Sequence, residues 1–370
     1  MPKSRARTFR QMRLSLTAVL CALCLNAAPG VAATALHFSL DRPIDGAAAP
    51  FIVANSQGLY RADNLTVTMS NAANSPDAIA RVAAGTSDIA LADINALIRF
   101  RDKEGSPPVK AVFVLYNKAP YAIVARKSRG IASMADIEGK TIGVADGDLA
   151  SKLWPAVARH NNIKPGKVKL EKISAAVREP MLSAGQVDAV TGFSFLSAIN
   201  LRDRGVPAND LAVLRFSEFG SDVYGHALIV NPKFAAEHPD AVKAFVRASI
   251  AGLRLTIKDP ARAIDDVLAQ MSNGSHDLEL ERLRAVLKDN IVTGDVRKNG
   301  LGGIDDARFS ARSRRTVNSA SGRCQPIFST TRSCRRRTHA GSICRNAHVP
   351  GAMRCESIAS QNRDRCRHRP

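Results

Sequence analysis

Four aspartates, Asp41, Asp93, Asp148 and Asp222, each fall in a turn beside a short run rich in Val, Ile and Leu. A carboxylate placed there can do one of two things: accept the orphan N–H groups of a helix start, or present negative charge to a guest. The same turns hold Asn95, Asn117, Ser151 and Ser194, which can orient a small molecule by hydrogen bonds. Tyr116, Phe193 and Tyr224, with Phe195 and Phe219 close by, offer flat faces to a planar ring in a chain only 5% aromatic. These turns span residues 41–50, 93–95, 116–117, 146–151, 192–195 and 220–224; they contain no lysine, and their only arginine is Arg42. Acid-lined turns of this kind suit an amine, an amidine-like ring or a protonated base better than nitrate or a sulfonate. Each aspartate keeps the alternative of a helix cap or a solvated turn residue. His226, next to one of the turns, is either a ligand contact or part of a hinge or core.

Signs of catalysis are missing. There is no GxSxG elbow, no HExxH and no paired CxxC, and the body's histidines, at 37, 160, 226, 238 and 276, are scattered without metal-ligand spacing. Gly300 to Asp305 is glycine-rich but follows no strand and lacks a phosphate-loop ending, so it reads as a turn. The sequence therefore assigns no catalytic residue, no metal and no cofactor.

The elements that must position these turns alternate. Strands are expected at 35–40, 65–69, 89–92, 109–115, 121–125, 141–145, 168–172, 189–192, 211–216 and 224–230, with helices between them, the pattern of parallel sheets covered by helices. Ser75-Pro76-Asp77, Asp148 with Ser151, and Asn231-Pro232 mark helix starts. Trp154, the single tryptophan, belongs to helix packing and serves as a fluorescence reporter. After residue 238 the spacing is helical, with Val242, Phe245, Val246 and Ile250 on one face and a further helix at 278–288. One device occurs twice: a helix stopped by glycine, then two residues, an aspartate and an apolar strand, at 83–90 and again from Ala184 to Ala189. One copy in each half predicts two similar lobes.

The formal charge of +20 on 370 residues sits at the two ends. Lys3, Arg5, Arg7, Arg10 and Arg13 precede an apolar run from Leu14 to Ala28 and the small residues to Ala33, the order of a secretory signal, and that run is shorter than a membrane-spanning helix. Residues 1–33 are therefore expected to be a cleaved signal peptide; lipidation at Cys21 or Cys24 is the competing reading, but each interrupts the apolar run. The 310–370 tail has fourteen Arg, no Lys and five Cys at near-uniform spacing, and reads as an out-of-frame, disordered end. A nucleic-acid or lipid arm, or a zinc site, is its alternative. What remains is a near-neutral, cysteine-free body, which excludes a basic groove for nucleic acid.

Phe51 to Tyr60, Ile79 to Asp93, Asp136 to Val144, Leu182 to Val190 and His238 to Phe245, in this order and spacing, resemble the bacterial solute-binding proteins of the nitrate, sulfonate, taurine and pyrimidine-precursor class (NMT1/SsuA-like). The resemblance covers roughly residues 36–309. It implies an α/β chain with the type II periplasmic-binding-protein fold, two α/β lobes joined by two hinge crossings: lobe one from 36–118 plus 224–309, lobe two from 119–223. It further implies a monomer in the periplasm that hands a small organic molecule to the permease and ATPase of an ABC importer, and the acidic turns lean that molecule toward a pyrimidine-like base. Pyrimidine-precursor enzymes share the fold and use their own histidine as a substrate, and the secretory start speaks against that role here.

Overall fold

The computed structural model describes residues 32–309, so the 310–370 tail and all but the last two residues of the expected signal peptide lie outside the described residues. Ten strands form: β1 (Thr34–Leu40), β2 (Leu65–Asn71), β3 (Ile89–Asp93), β4 (Lys110–Val114), β5 (Tyr121–Arg126), β6 (Thr141–Ala145), β7 (Lys169–Ile173), β8 (Ala189–Phe193), β9 (Leu211–Arg215) and β10 (His226–Val230). They make two five-stranded sheets, ordered β2-β1-β3-β10-β4 and β7-β6-β8-β5-β9, which are wired identically. Each sheet with its helices is one lobe of the periplasmic-binding-protein fold.

The expectation of purely parallel sheets needs correction. β1 runs parallel to β2 and β3, and β6 to β7 and β8, but β10 and β5 run antiparallel to both of their neighbours. The physical reason is the route of the chain: β5 and β10 are the strands that follow a crossing from the other lobe, so each enters its sheet from the opposite end. Both faces of each sheet are covered. That is why β3 and β10 are buried along their whole length and read as continuous apolar runs.

In lobe one the helices Ala49–Ser56, Pro239–Lys258 and Pro260–Leu268 close one face around Phe38, Phe51, Tyr60 and Phe245, and the helices Ser75–Ala84 and Ile94–Arg101 close the other. Tyr60 stacks on Phe245 at 5.0 Å, and burying one such ring contributes about 2–3 kcal/mol. Trp154 lies in the core of lobe two, 1% exposed, as the sequence expects.

The repeated device does the same work twice. Gly85 and Gly185 end their helices in the left-handed conformation. Three residues on, the Asp88 carboxylate accepts the N–H of His37 at 2.8 Å while its own N–H donates to the His37 carbonyl at 2.9 Å. Asp188 does the same to Thr141, at the same two distances. Each aspartate thus ties a helix-to-strand turn to a neighbouring strand, to the middle of β1 or the start of β6, an attachment that a solvated turn residue would not make.

Two chain segments cross between the lobes, residues 115–120 and 216–225. They touch: Ala119 N donates to Val223 O at 3.0 Å and Gly225 N to Tyr116 O at 2.9 Å. A Cβ on Gly225 would meet the Tyr116 Cβ at 2.9 Å and the Ala119 Cα at 3.0 Å, so no other residue fits without moving the crossings apart. Tyr224, expected as the first residue of a strand, lies in this crossing, and β10 begins at His226. Among the described residues no helix is long and apolar enough to cross a membrane.

Candidate functional site

Because β10 is antiparallel, its first residue faces the last residue of β3 (His226 opposite Asp93), and the turns after β1, β3 and β8 converge with it on the gap between the lobes. Asp41 leaves β1 into this gap. Its Oδ1 accepts from Arg42 Nη2 at 2.8 Å and Nε at 3.1 Å; its Oδ2 accepts from Ser75 Oγ at 2.5 Å and meets His226 Nε2 at 2.7 Å. Burial alone would raise this carboxyl; Arg42 and His226 outweigh it and hold Asp41 well below the usual carboxylate range. Burial would likewise strip the proton from Arg42, and Asp41 outweighs that too. His226 Nε2 also lies 3.0 Å from Arg42 Nη2, and its fully buried Nδ1 has no hydrogen-bond partner.

Lobe two supplies the aromatic floor. The Arg42 guanidinium carbon lies 4.9 Å from the centre of the Phe193 ring and 5.8 Å from that of Phe195. Tyr116, from the first crossing, packs edge-on to Phe195 and against His226, and burial pushes its hydroxyl above the usual phenol range. About 10 Å³ of space remains beside the cluster, room for one water, bounded by Leu40, Asp45, Ala48, Leu91 and Tyr116.

A second group continues the line. Asp93 caps the helix Ile94–Arg101 through Asn95 N at 2.7 Å and holds Asn95 Nδ2 at 3.0 Å, while its other oxygen accepts the Tyr121 hydroxyl from lobe two. Asp148 caps the helix Leu149–His160 through Ala150 N at 2.8 Å and accepts the Thr191 hydroxyl, and burial raises its pKa. Ser151 donates to Asp148 O within the same cap, and Ser194 N is held by Pro120 O. Ser75, expected as part of a helix start, is not the cap; Asn74 takes that role, accepting from Asp77 N at 3.0 Å, and Ser75 bridges Asp41 and the Asp93 N–H instead.

The remaining expected site residues gather elsewhere. Asn117, Asp222 and Tyr224 surround Arg308, whose Nη2 donates to Asn117 O at 2.7 Å and Asp222 Oδ1 at 2.8 Å while the guanidinium lies 4.0 Å over the Tyr224 ring. This clasp joins both crossings. The eleven expected residues therefore divide: Asp41, Asp93, Asn95, Tyr116, Asp148, Ser151, Phe193 and Ser194 border the gap, and Asn117, Asp222 and Tyr224 the hinge. Arg42, Tyr121 and Thr191 were not singled out by sequence reasoning. The signal for Arg42 was present, as the one cation directly following an aspartate in an acidic turn.

Comparison with known proteins places this geometry. A family model described as "NMT1/THI5 like" matches residues 46–263. Riboflavin-binding protein RibY of Chloroflexus aurantiacus is 29% identical over 228 residues, 59% of this chain and 61% of that protein, so the chain spans less than two thirds of that relative. The 4-amino-5-hydroxymethyl-2-methylpyrimidine phosphate synthase of Schizosaccharomyces pombe is 26% identical over 65% of this chain and 72% of that one. Among solved structures, the alkanesulfonate-binding protein SsuA of Xanthomonas axonopodis pv. citri superposes with a TM-score of 0.59 at 18% identity, covering 77% of this chain and 91% of that one. This likeness is one of fold.

Proposed function

The chain belongs to the NMT1/THI5-like family, and from that premise we propose that it is an extracytoplasmic solute-binding protein, catalysing nothing, that closes its two lobes around a planar nitrogenous ring and delivers it to the permease and ATPase of an ABC importer. One observation carries the reading. A buried carboxylate on lobe one, Asp41, and two ring faces on lobe two, Phe193 and Phe195, converge on a single spot and there hold a flat cation. A protonated or amidine-bearing ring, such as an aminopyrimidine, matches both partners, donating to the carboxylate while stacking on the rings. A sulfonate or nitrate would face the Asp41 charge. The riboflavin-binding relative, whose ligand is also a flat nitrogenous ring system, supports the same class.

The test is a thermal-shift screen of the purified chain against 4-aminopyrimidine, riboflavin, taurine and nitrate. A ligand at a hundred times its Kd stabilises the fold by about 2.7 kcal/mol. The ring compounds are expected to raise the melting temperature; a rise with taurine or nitrate alone contradicts the assignment.

The synthase-named relatives favour a second reading, a biosynthetic enzyme that spends its own histidine, for which His226 in the gap is the available residue. Intact-mass measurement of the chain recovered from expressing cells, beside a His226→Asn control, separates the two readings: a binding protein keeps its side chains intact, and an enzyme consuming His226 shows a mass change that the control lacks.

A further inference from the structure

We infer that Arg42 is a built-in competitor for the site: its guanidinium holds the place of a flat cationic guest on Asp41 and Phe193, and is expelled when such a guest binds. This rests on the solute-binding reading and concerns the selectivity of that same gap. The groups facing Arg42 are Asp41, Asp45, Tyr116 and His226 from lobe one and the crossings, and Phe193 and Phe195 from lobe two.

The same chain shows what a purely structural arginine looks like. Arg308 spends Nε on Asp222 O, Nη1 on Asn117 Oδ1 and Asp295, and Nη2 on Asn117 O and Asp222 Oδ1, with a ring beneath it. Arg42 is held mainly through one edge. Its Nε and Nη2 share a single carboxylate oxygen, with His226 Nε2 3.0 Å from Nη2, while Nη1 is buried without a hydrogen-bond partner. With Nη1 unpaired and its other two nitrogens on Asp41 and His226, this guanidinium is held by fewer groups than Arg308 and rests against a water-sized space.

What anchors it is what would anchor a guest: a carboxylate accepting two N–H groups, and a ring face. An amidinium or guanidinium offers the same flat face and the same pair of donors. Arg42 also has a way out. Its side chain is 15% exposed and the next residue, Pro43, lies on the surface, so its three methylenes can carry the charge to water. An anion has no such exchange to offer, because expelling Arg42 would leave it against bare Asp41. Arg42 thereby excludes anions while setting the threshold a cationic ring must exceed.

Titration calorimetry of the full chain with methylguanidinium and with benzamidine tests this on the wild type, Arg42→Ala, and Arg42→Ala combined with Phe193→Leu. The wild type is expected to bind both probes weakly, Arg42→Ala at least tenfold more tightly, and the double variant to lose that gain. Equal or weaker binding by Arg42→Ala, or a gain that survives Phe193→Leu, overturns the inference. If Arg42→Ala fails to fold, Arg42→Met, which keeps an apolar stem over the rings, is expected to show the same gain. The two readings fail separately. If no ring compound shifts the wild-type melt while methylguanidinium still gains in Arg42→Ala, the competitor stands and the transport ligand is wrong. If a ring compound binds the wild type and Arg42→Ala weakens it, Arg42 is a ligand contact and the inference falls.

Discussion

Asp41 keeps its charge in an interior that would otherwise neutralise it, because Arg42, His226 and Ser75 surround it. Removing one member of a buried pair leaves the other uncompensated, so Asp41→Asn should cost about 3 kcal/mol, read from urea unfolding at neutral pH. The sign with pH follows from the lowered pKa: the pair's stabilisation is in place above the unfolded carboxylate value of about 3.9 and is withdrawn as pH falls toward the lower folded value. Between pH about 5 and 3 the wild-type melting temperature should therefore fall more steeply than that of Asp41→Asn; parallel curves would contradict the pairing. Asp45 and Glu279, raised by burial, respond in the opposite direction and are common to both proteins. At this scale the sequence was half legible. Residue type and position after a strand marked Asp41, Asp93 and Asp148, but whether a carboxylate faces a guest or a helix start depends on partners tens of residues away, as Ser75 and Tyr121 show. Asp93 and Asp148 proved to be caps as well as gap residues.

Elements were read more fully, because their signals are local. All ten strands stand within two residues of where apolar runs and turn residues put them, and Asn231 and Asp148 cap the helices they mark. Strand direction was not legible, since it depends on which lobe the chain comes from and not on any run of residues. The crossings are where element geometry is tightest. Gly225→Ala should force them apart and cost about 2 kcal/mol, whereas Gly303→Ala, with nothing within 4 Å of its added carbon, should stay within about 0.5 kcal/mol of wild type. Equal midpoints for the two in urea would contradict the close approach. Arg308→Ala should cost about 2 kcal/mol by releasing Asn117 O and the Asp222 carboxylate, with the m-value unchanged because the fold exposes the same surface on unfolding.

For the molecule as a whole, the arrangement is that of two lobes drawn together. Beyond the crossings, the helix His276–Val286 reaches lobe two through Arg282 to Asn200 at 2.6 Å and Glu281 to Arg202, and Asp289 reaches Arg215 at 3.2 Å. The exposed Glu281–Arg202 pair contributes about 0–1 kcal/mol, whereas the Arg282–Asn200 bond is part-buried. Opening about the two crossings would break these contacts together with the buried Asp93–Tyr121 bond and the Arg42 stack, and a guest that touches both lobes shifts the balance toward closure by its differential affinity for the closed form. The two-lobed plan could be anticipated from the repeated glycine–aspartate device, because each copy fixes the same turn in its own sheet. The Arg42 contact that crosses between lobes left no comparable mark, being made by residues more than a hundred positions apart.

The central claim is that the guest is held between the lobes, and small-angle X-ray scattering of the full chain tests it most directly. The radius of gyration should fall when saturating riboflavin or 4-aminopyrimidine is added, whichever raises the melting temperature, and should not fall when taurine is added at the same concentration. A compound that stabilises the protein while leaving the scattering curve unchanged would contradict binding between the lobes.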